Sequence, residues 1–154
     1  MPENQNFPCL VLAGGKGWMY TEIFQKVEEL HLEKKIIFTG YIEDNDVPTL
    51  MSGAIAFCFL SLYEGFGMPV IEAMACGTPV LTSNSSSLKE IAEGVALLVN
   101  ETSIEDIKEG LSQLFMMQEL REELVQKGFS RAKEYSWEKV SETLMNIYRD
   151  LVRK

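Results

Sequence analysis

Short, continuously apolar runs alternate along this chain with longer stretches whose apolar residues recur every three or four positions. The runs read as strands and the stretches as helices. Residues 9–15 (CLVLAGG) form a strand stopped by glycines, and residues 19–33 follow as a helix with Ile23, Val27 and Leu30 at helical spacing. Residues 35–40 (KIIFTG) are a second strand. A short helix is expected after Asp46 as N-cap, with Pro48 in its first turn. Residues 54–60 (AIAFCFL) are apolar at every position and are expected to form a third strand buried on both faces. Residues 68–77 read as a helix with Pro69 in its first turn and Gly77 past its end. A fourth strand (79–83), a helix with a serine cap and Gly94 at its exit (86–94), and a fifth strand (95–100) follow. From Ser103 the chain is helical over 103–116, 118–135 and 136–154. Ser103 followed by Asp106 is a variant of the capping box, and Ser136 is placed to cap the last helix.

Apolar strands alternating with helices define an α/β fold: a Rossmann-like parallel sheet covered by helices on both faces, with a helical carboxyl-terminal end. Its crossovers should be right-handed. In such sheets ligands bind beyond the carboxyl ends of the strands, at a switch point. The 154 residues suffice for one domain with one hydrophobic core. The net charge of -9 argues against a general nucleic-acid or anionic-membrane surface, which would need clustered Lys and Arg. It leaves room for a phosphate pocket built from backbone N–H groups. The longest apolar run, about nine residues, is too short to span a bilayer, and the opening MPENQNFP lacks a signal-peptide core. Cys9, Cys58 and Cys76 are odd in number and widely spaced. They read as buried free thiols in a reducing compartment, so a cytoplasmic protein is expected.

One stretch concentrates the candidate chemistry. LYEGFGMPVIEAMACGTPV, residues 62–80, lies between the third strand and its following helix. Gly65 and Gly67 are expected to let the backbone take unusual angles and approach a ligand closely. Pro69 presets the first helical turn, and free N–H groups near Gly67 and Met68 would then meet an anion at the positive end of the helix. Glu64 stands before the turn and Glu72 about one turn into the helix, and a carboxylate accepts two hydroxyl donors at once. Hydroxyl, diphosphate and hydroxyl held in sequence describe a nucleotide sugar. The spacing alone fits equally well a strand-to-helix turn with two solvent-facing glutamates.

Rival signals are weaker. GGKGW (14–18) has Gly15 and Gly17 in a G-x-G pattern, but Tyr20 stands where a dinucleotide fingerprint needs its third glycine. Lys16 is expected to be an exposed loop lysine. Asp44-x-Asp46 has a spacing that could bind metal, yet it precedes a helix and Asp46 suits a cap better. His31, the only histidine, is expected as a capping or surface residue near the end of the first helix. Met68, Met74, Met116 and Met117 read as core filler.

EGFGMPVIEAMACGTPV strongly resembles the E-x7-E signature of group 1 (family 4) retaining glycosyltransferases, which have the GT-B fold. The likeness continues through IIFTGYI, PTLMSGAIAFCFLSLYEGFG, SSLKEI, ALLV and AKEYSWEKV and covers almost the whole chain. It implies retaining transfer of a hexosyl unit from a nucleotide-diphosphate sugar, UDP- or GDP-linked, with no cofactor and no bound metal. It implies that Glu64, as the catalytic carboxylate, contacts donor-sugar hydroxyls and that Glu72 holds the ribose. Backbone around Gly65, Phe66, Gly67 and Met68 would contact sugar and phosphate, and Tyr41 and Ile42 would form the wall that takes the base. Leu60 departs from the proline frequent in the family. The family's first strand, with an Arg and a Lys on the diphosphate, and its acceptor-binding N-terminal domain have no counterpart here. Residues 1–154 are therefore expected to form a partial nucleotide-sugar-binding domain. The acceptor, a sugar, lipid or polysaccharide, would be held by a missing domain, and the full-length enzyme could touch a membrane peripherally. A central strand missing from the sheet would leave either a gap or a direct pairing of the first and third strands, with exposed apolar surface driving self-association. The alternative is a non-catalytic nucleotide-binding remnant or interaction module.

Overall fold

The structure, a computed structural model, describes residues 8–15, 17 and 20–152. The chain divides into two compact units, Met1–Val47 and Pro48–Lys154. Lys16, about which a loop position is expected, lies outside the described residues.

The first unit holds strand β1 (Leu10–Ala13), helix α1 (Tyr20–Glu29) and strand β2 (Ile36–Gly40). β1 and β2 pair in parallel, with Leu10 opposite Ile36 and Leu12 opposite Phe38. Phe24 of α1 stacks on Phe38 with ring centroids 4.3 Å apart, and Tyr20 meets Phe24 edge-on. α1 ends sooner than its apolar spacing suggests, because His31 takes a left-handed φ of 53°. The His31 N–H then donates to Glu28 O and the Leu32 N–H to Val27 O, closing the helix at a position that glycine usually fills. Burial on both faces is not met here: Leu10, Val11, Ile37 and Phe38 are exposed. Within this unit one helix serves a two-stranded sheet, and one helix covers one face.

Helix α2 (Val47–Ser52) begins directly after Asp46. The second unit continues with β3 (Phe57–Phe59), α3 (Met68–Ala75), β4 (Val80–Ser83), α4 (Ser86–Ala92), β5 (Leu97–Val99), α5 (Ile104–Met116), α6 (Gln118–Glu134) and α7 (Trp137–Val152). Its sheet is parallel in the order β3-β4-β5. The five expected strands thus form two sheets, and among the described residues no ladder joins β1 to β3. β4, the central strand, is buried at every position, whereas β3 is an edge strand, shorter than its apolar run and only half-buried.

Period-two alternation sends Leu81 to one face of this sheet and Val80 to the other. Leu81 and Val99 pack with Leu114 of α5 and Leu124 of α6. α5 comes close because Gly110 has no side chain: a Cβ there would lie 2.6 Å from Leu81 Cδ1. α6 meets α3 in the same manner at Gly128, where a Cβ would lie 3.2 Å from Met74 Cγ. Each of these large buried side chains contributes about 1.5–3 kcal/mol. Of the four methionines expected in the core only Met74 is buried; Met68, Met116 and Met117 are exposed at helix ends. Ser103 caps α5 by accepting from the Asp106 N–H and donating to its carboxylate. Ser136 caps α7 by accepting from the Lys139 N–H. The Glu138 carboxyl in that first turn is held below its ordinary range by its own backbone N–H and by Ser136. α7 has no buried residue, and Trp137, Val140, Leu144, Ile147 and Leu151 leave an apolar stripe exposed. Among the described residues no helix is long and apolar enough to cross a membrane.

The three cysteines are free, but they are not equally buried: Cys9 is exposed, while Cys58 and Cys76 are partly buried. Burial in the β3 strand pushes the Cys58 thiol up to about 11. At pH 8 its thiolate fraction is then about one in a thousand, and the thiolate is the reactive form. Iodoacetamide should therefore label Cys9 first and Cys58 only once the chain unfolds. Peptide mapping by mass spectrometry reads this directly, and early modification of Cys58 in native buffer would contradict the packing described.

Candidate functional site

β3 and β4 run parallel, so the segments leaving their carboxyl ends lie side by side. The β3 exit, residues 60–67, leads into α3, and the β4 exit, Asn84 and Ser85, leads into α4. Hydroxyl groups join the two. Thr82 Oγ1 donates to Phe59 O at 2.7 Å, and Ser83 Oγ donates to Ser61 O at 2.7 Å. Further out, Ser87 Oγ donates to Glu64 O at 2.8 Å, and the Glu64 N–H donates to Ser86 Oγ at 3.3 Å. Ser61 Oγ donates to the Glu64 carboxylate at 2.8 Å. Glu64 is partly buried, so one carboxylate on a loop is held through its side chain and both of its backbone groups.

This network corrects the reading of the serines as a helix cap. Ser85 occupies the N-cap of α4 but makes no capping bond, and its buried hydroxyl has no partner among the described residues. Ser86 and Ser87 are turned toward Glu64 instead. The order of the parallel strands, together with a run of hydroxyl residues at 85–87, was the signal that could have shown it.

The two glycines of the loop differ. Gly67 caps α3 with φ 113° and is buried. A Cβ there would lie 2.6 Å from Leu88 Cδ2 and 3.6 Å from Ile91 Cδ1, both on α4. Glycine is therefore required by the backbone angle and by the core behind it. Gly65, in contrast, has no left-handed φ, is exposed, and would present a Cβ to open space. The expectation of unusual angles thus fails at Gly65, and at Gly67 the close approach that the structure itself contains is to α4.

Phe66, 44% exposed, sets its ring edge-on to Tyr135 at the end of α6, with centroids 5.6 Å apart. Its side chain anchors the loop to the end of α6. The N–H groups of Gly67 and Met68 donate to no partner among the described residues, and Pro69 has none. They lie at the positive end of α3. Glu72 stands four residues after Met68, so the two share a face of α3. Its exposed carboxylate has no hydrogen bond or ion pair among the described residues. The structure therefore brings Glu64, Gly65, Phe66, Gly67 and Met68 into one fixed turn, with Glu72 one helical turn beyond. Tyr41, exposed, and Ile42, partly buried, follow β2 and belong to the first unit.

A sequence description of the group 1 glycosyl transferases matches residues 2–131. The chain belongs to that family. Its similarity to O-antigen chain mannosyltransferase B of Escherichia coli is 35% identity over 149 residues, 97% of this chain and 39% of that protein. Sucrose-phosphate synthase from Thermosynechococcus elongatus superposes with a TM-score of 0.82 at 27% identity, over 94% of this chain and 38% of the other. HepE from Anabaena, solved in complex with UDP and glucose, superposes with a TM-score of 0.80 at 21% identity, over 90% of this chain and 40% of the other. The chain thus spans about two-fifths of the length of the curated relative and of both structures. This glycosyl transferase chain carries Glu64 and Glu72 on a parallel α/β framework, its parallel strands flanked by helices.

The contrast between the loop glycines gives a stability test. Gly67→Ala in this glycosyl transferase chain should cost about 2–5 kcal/mol, from the left-handed angle and the collision with Leu88. Gly65→Ala should stay within about 0.5 kcal/mol of the parent. Urea unfolding of both variants measures the difference. Equal midpoints would mean that Gly67 is not locked against α4.

Proposed function

We propose that this chain is the donor-binding part of a hexosyl transferase that takes its sugar from a nucleoside diphosphate, with retention at the anomeric carbon. The observation that carries the reading is the arrangement around one turn: a carboxylate held in place at Glu64, and N–H groups at the start of α3 and a carboxylate at Glu72 that have no partner among the described residues. The first suits sugar hydroxyls, the second a diphosphate and the third a ribose. Two relatives support the chemistry by their own descriptions, one a mannosyltransferase and the other bound to UDP and glucose. Tyr41 and Ile42 are assigned to the base, and the backbone of Gly65, Phe66, Gly67 and Met68 to sugar and phosphate.

In the reaction, negative charge grows on the departing phosphate oxygens while positive charge grows on the sugar. Donors fixed in advance, aimed at those oxygens, stabilise the transition state without reorganising. The start of α3 supplies them, and Glu64 orients the sugar and opposes its developing charge. An acceptor, whether sugar, lipid or polysaccharide, is assigned to a part of the protein beyond the matched two-fifths. Free thiols favour a reducing compartment, so we place the chain in the cytoplasm. The exposed Leu10, Val11, Ile37 and Phe38 of β1 and β2 support the self-association expected from a missing central strand.

Titration calorimetry of the 154-residue chain with UDP, GDP, UDP-glucose and GDP-mannose tests the reading. At least one pair should bind, and Glu72→Ala should weaken nucleoside diphosphate and nucleotide sugar alike by about 1.5–3 kcal/mol, the worth of hydrogen bonds to a charged acceptor. Unchanged affinity in the variant would remove the ribose from Glu72.

A further inference from the structure

We infer that Ser61, Ser86 and Ser87 are positioning residues that hold Glu64 in a single orientation for the sugar of the donor. The inference rests on the reading of Glu64 as the sugar-contacting carboxylate. Thr82 and Ser83 already join the two outgoing segments, at Phe59 O and Ser61 O. The next three hydroxyls all converge on one residue. Ser61 takes one carboxylate oxygen, Ser86 takes the N–H and Ser87 takes the C=O of Glu64.

The β4 exit bears several costs at this point. Ser86 has a left-handed φ of 50°, uncommon for a residue with a side chain. Among the described residues Ser85 leaves its buried hydroxyl unpaired, and α4 begins without a side-chain cap. A serine cap at Ser85 with Ser86 in ordinary helical geometry would remove these costs, yet would take the Ser86 hydroxyl from the Glu64 N–H. What the observed geometry gains is the fixing of Glu64. A glutamate free to change rotamer loses up to about tenfold in affinity when a ligand freezes it, and one frozen beforehand does not. Ser61 leaves the second carboxylate oxygen unengaged for a ligand hydroxyl.

The test combines amide hydrogen exchange by NMR with calorimetry on the 154-residue chain. Ser61→Ala should weaken UDP-glucose or GDP-mannose about five- to tenfold, with UDP and GDP unchanged within about twofold, the scatter allowed to a residue that touches neither. Ser61→Thr, which keeps the hydroxyl, should restore sugar-nucleotide affinity. Ser86→Gly relieves the left-handed angle but removes the acceptor, so exchange of the Glu64 amide should accelerate several-fold without loss of global stability. Equal losses on nucleotide and nucleotide sugar would mean a general effect on the turn and would overturn the inference, as would full affinity in Ser61→Ala. If the parent chain binds none of the four probes, the donor reading itself fails. The exchange measurement then stands alone, and an unaltered Glu64 amide in Ser86→Gly sinks the positioning role.

Discussion

Everything around the candidate site depends on the parallel pairing of β3 with β4. Thr82 and Ser83 are fully buried, and each satisfies its hydroxyl on a carbonyl at the end of β3 or just beyond it, Phe59 O and Ser61 O. A buried hydroxyl without a partner costs about 1–3 kcal/mol, so these two bonds fix the register more firmly than their modest net worth suggests. A slip by one residue would turn Leu81 away from the α5 side and strand both hydroxyls. With the register set, the two loops must run together, and the residues beyond Ser83 meet the residues beyond Phe59. Glu64 is placed by that geometry.

On the proposed reading the site also has to hold an anion in a chain of net charge -9. Lysine and arginine would do this by charge, at the cost of drawing the same cations toward the many surface carboxylates. The turn at residues 64–68 offers neutral donors instead: backbone N–H groups at a helix start, where the dipole supplies the favourable field. Neutral hydroxyls around Glu64 serve the same economy. An ionised carboxylate has about four acceptor positions, and the single bond from Ser61 leaves most of them for hydroxyl donors of a ligand. A salt bridge at that place would have occupied the group it was meant to present.

Much of this was legible beforehand, and the limits were physical. Apolar runs and helical spacing located the five strands and the helices because both depend on local pattern. Caps at Ser103 and Ser136 were readable for the same reason, since cap and target lie three residues apart. The bonds from Ser86 and Ser87 to Glu64 span more than twenty residues, and local pattern instead suggested a cap at that place. Burial was overestimated for β1, β2 and β3, because an apolar strand reports what could be covered and not which neighbours are present to cover it. Met116 and Met117 misled in the same way, lying at a helix junction where little packs on them. The early end of α1 was missed because a histidine took the left-handed position.

The glycines carry the last step. A glycine beside a ligand site invites the explanation that it makes room for the ligand. In this chain Gly67 makes room for Leu88, Gly77 for the ring of Phe129 and Gly128 for Met74. The three contacts clamp α3 at its start, its end and its flank against α4 and α6. Since the N–H groups of Gly67 and Met68 are tied to that helix, their direction is set from behind, by the side chains packed against it. Positioning within a fraction of an ångström is what hydrogen-bond donors need to act on developing charge. The part of the motif that looks like a flexible turn is therefore fixed at Gly67 by its backbone angle and by Leu88. Its adaptable member is Gly65, where a Cβ would meet nothing within 4 Å among the described residues.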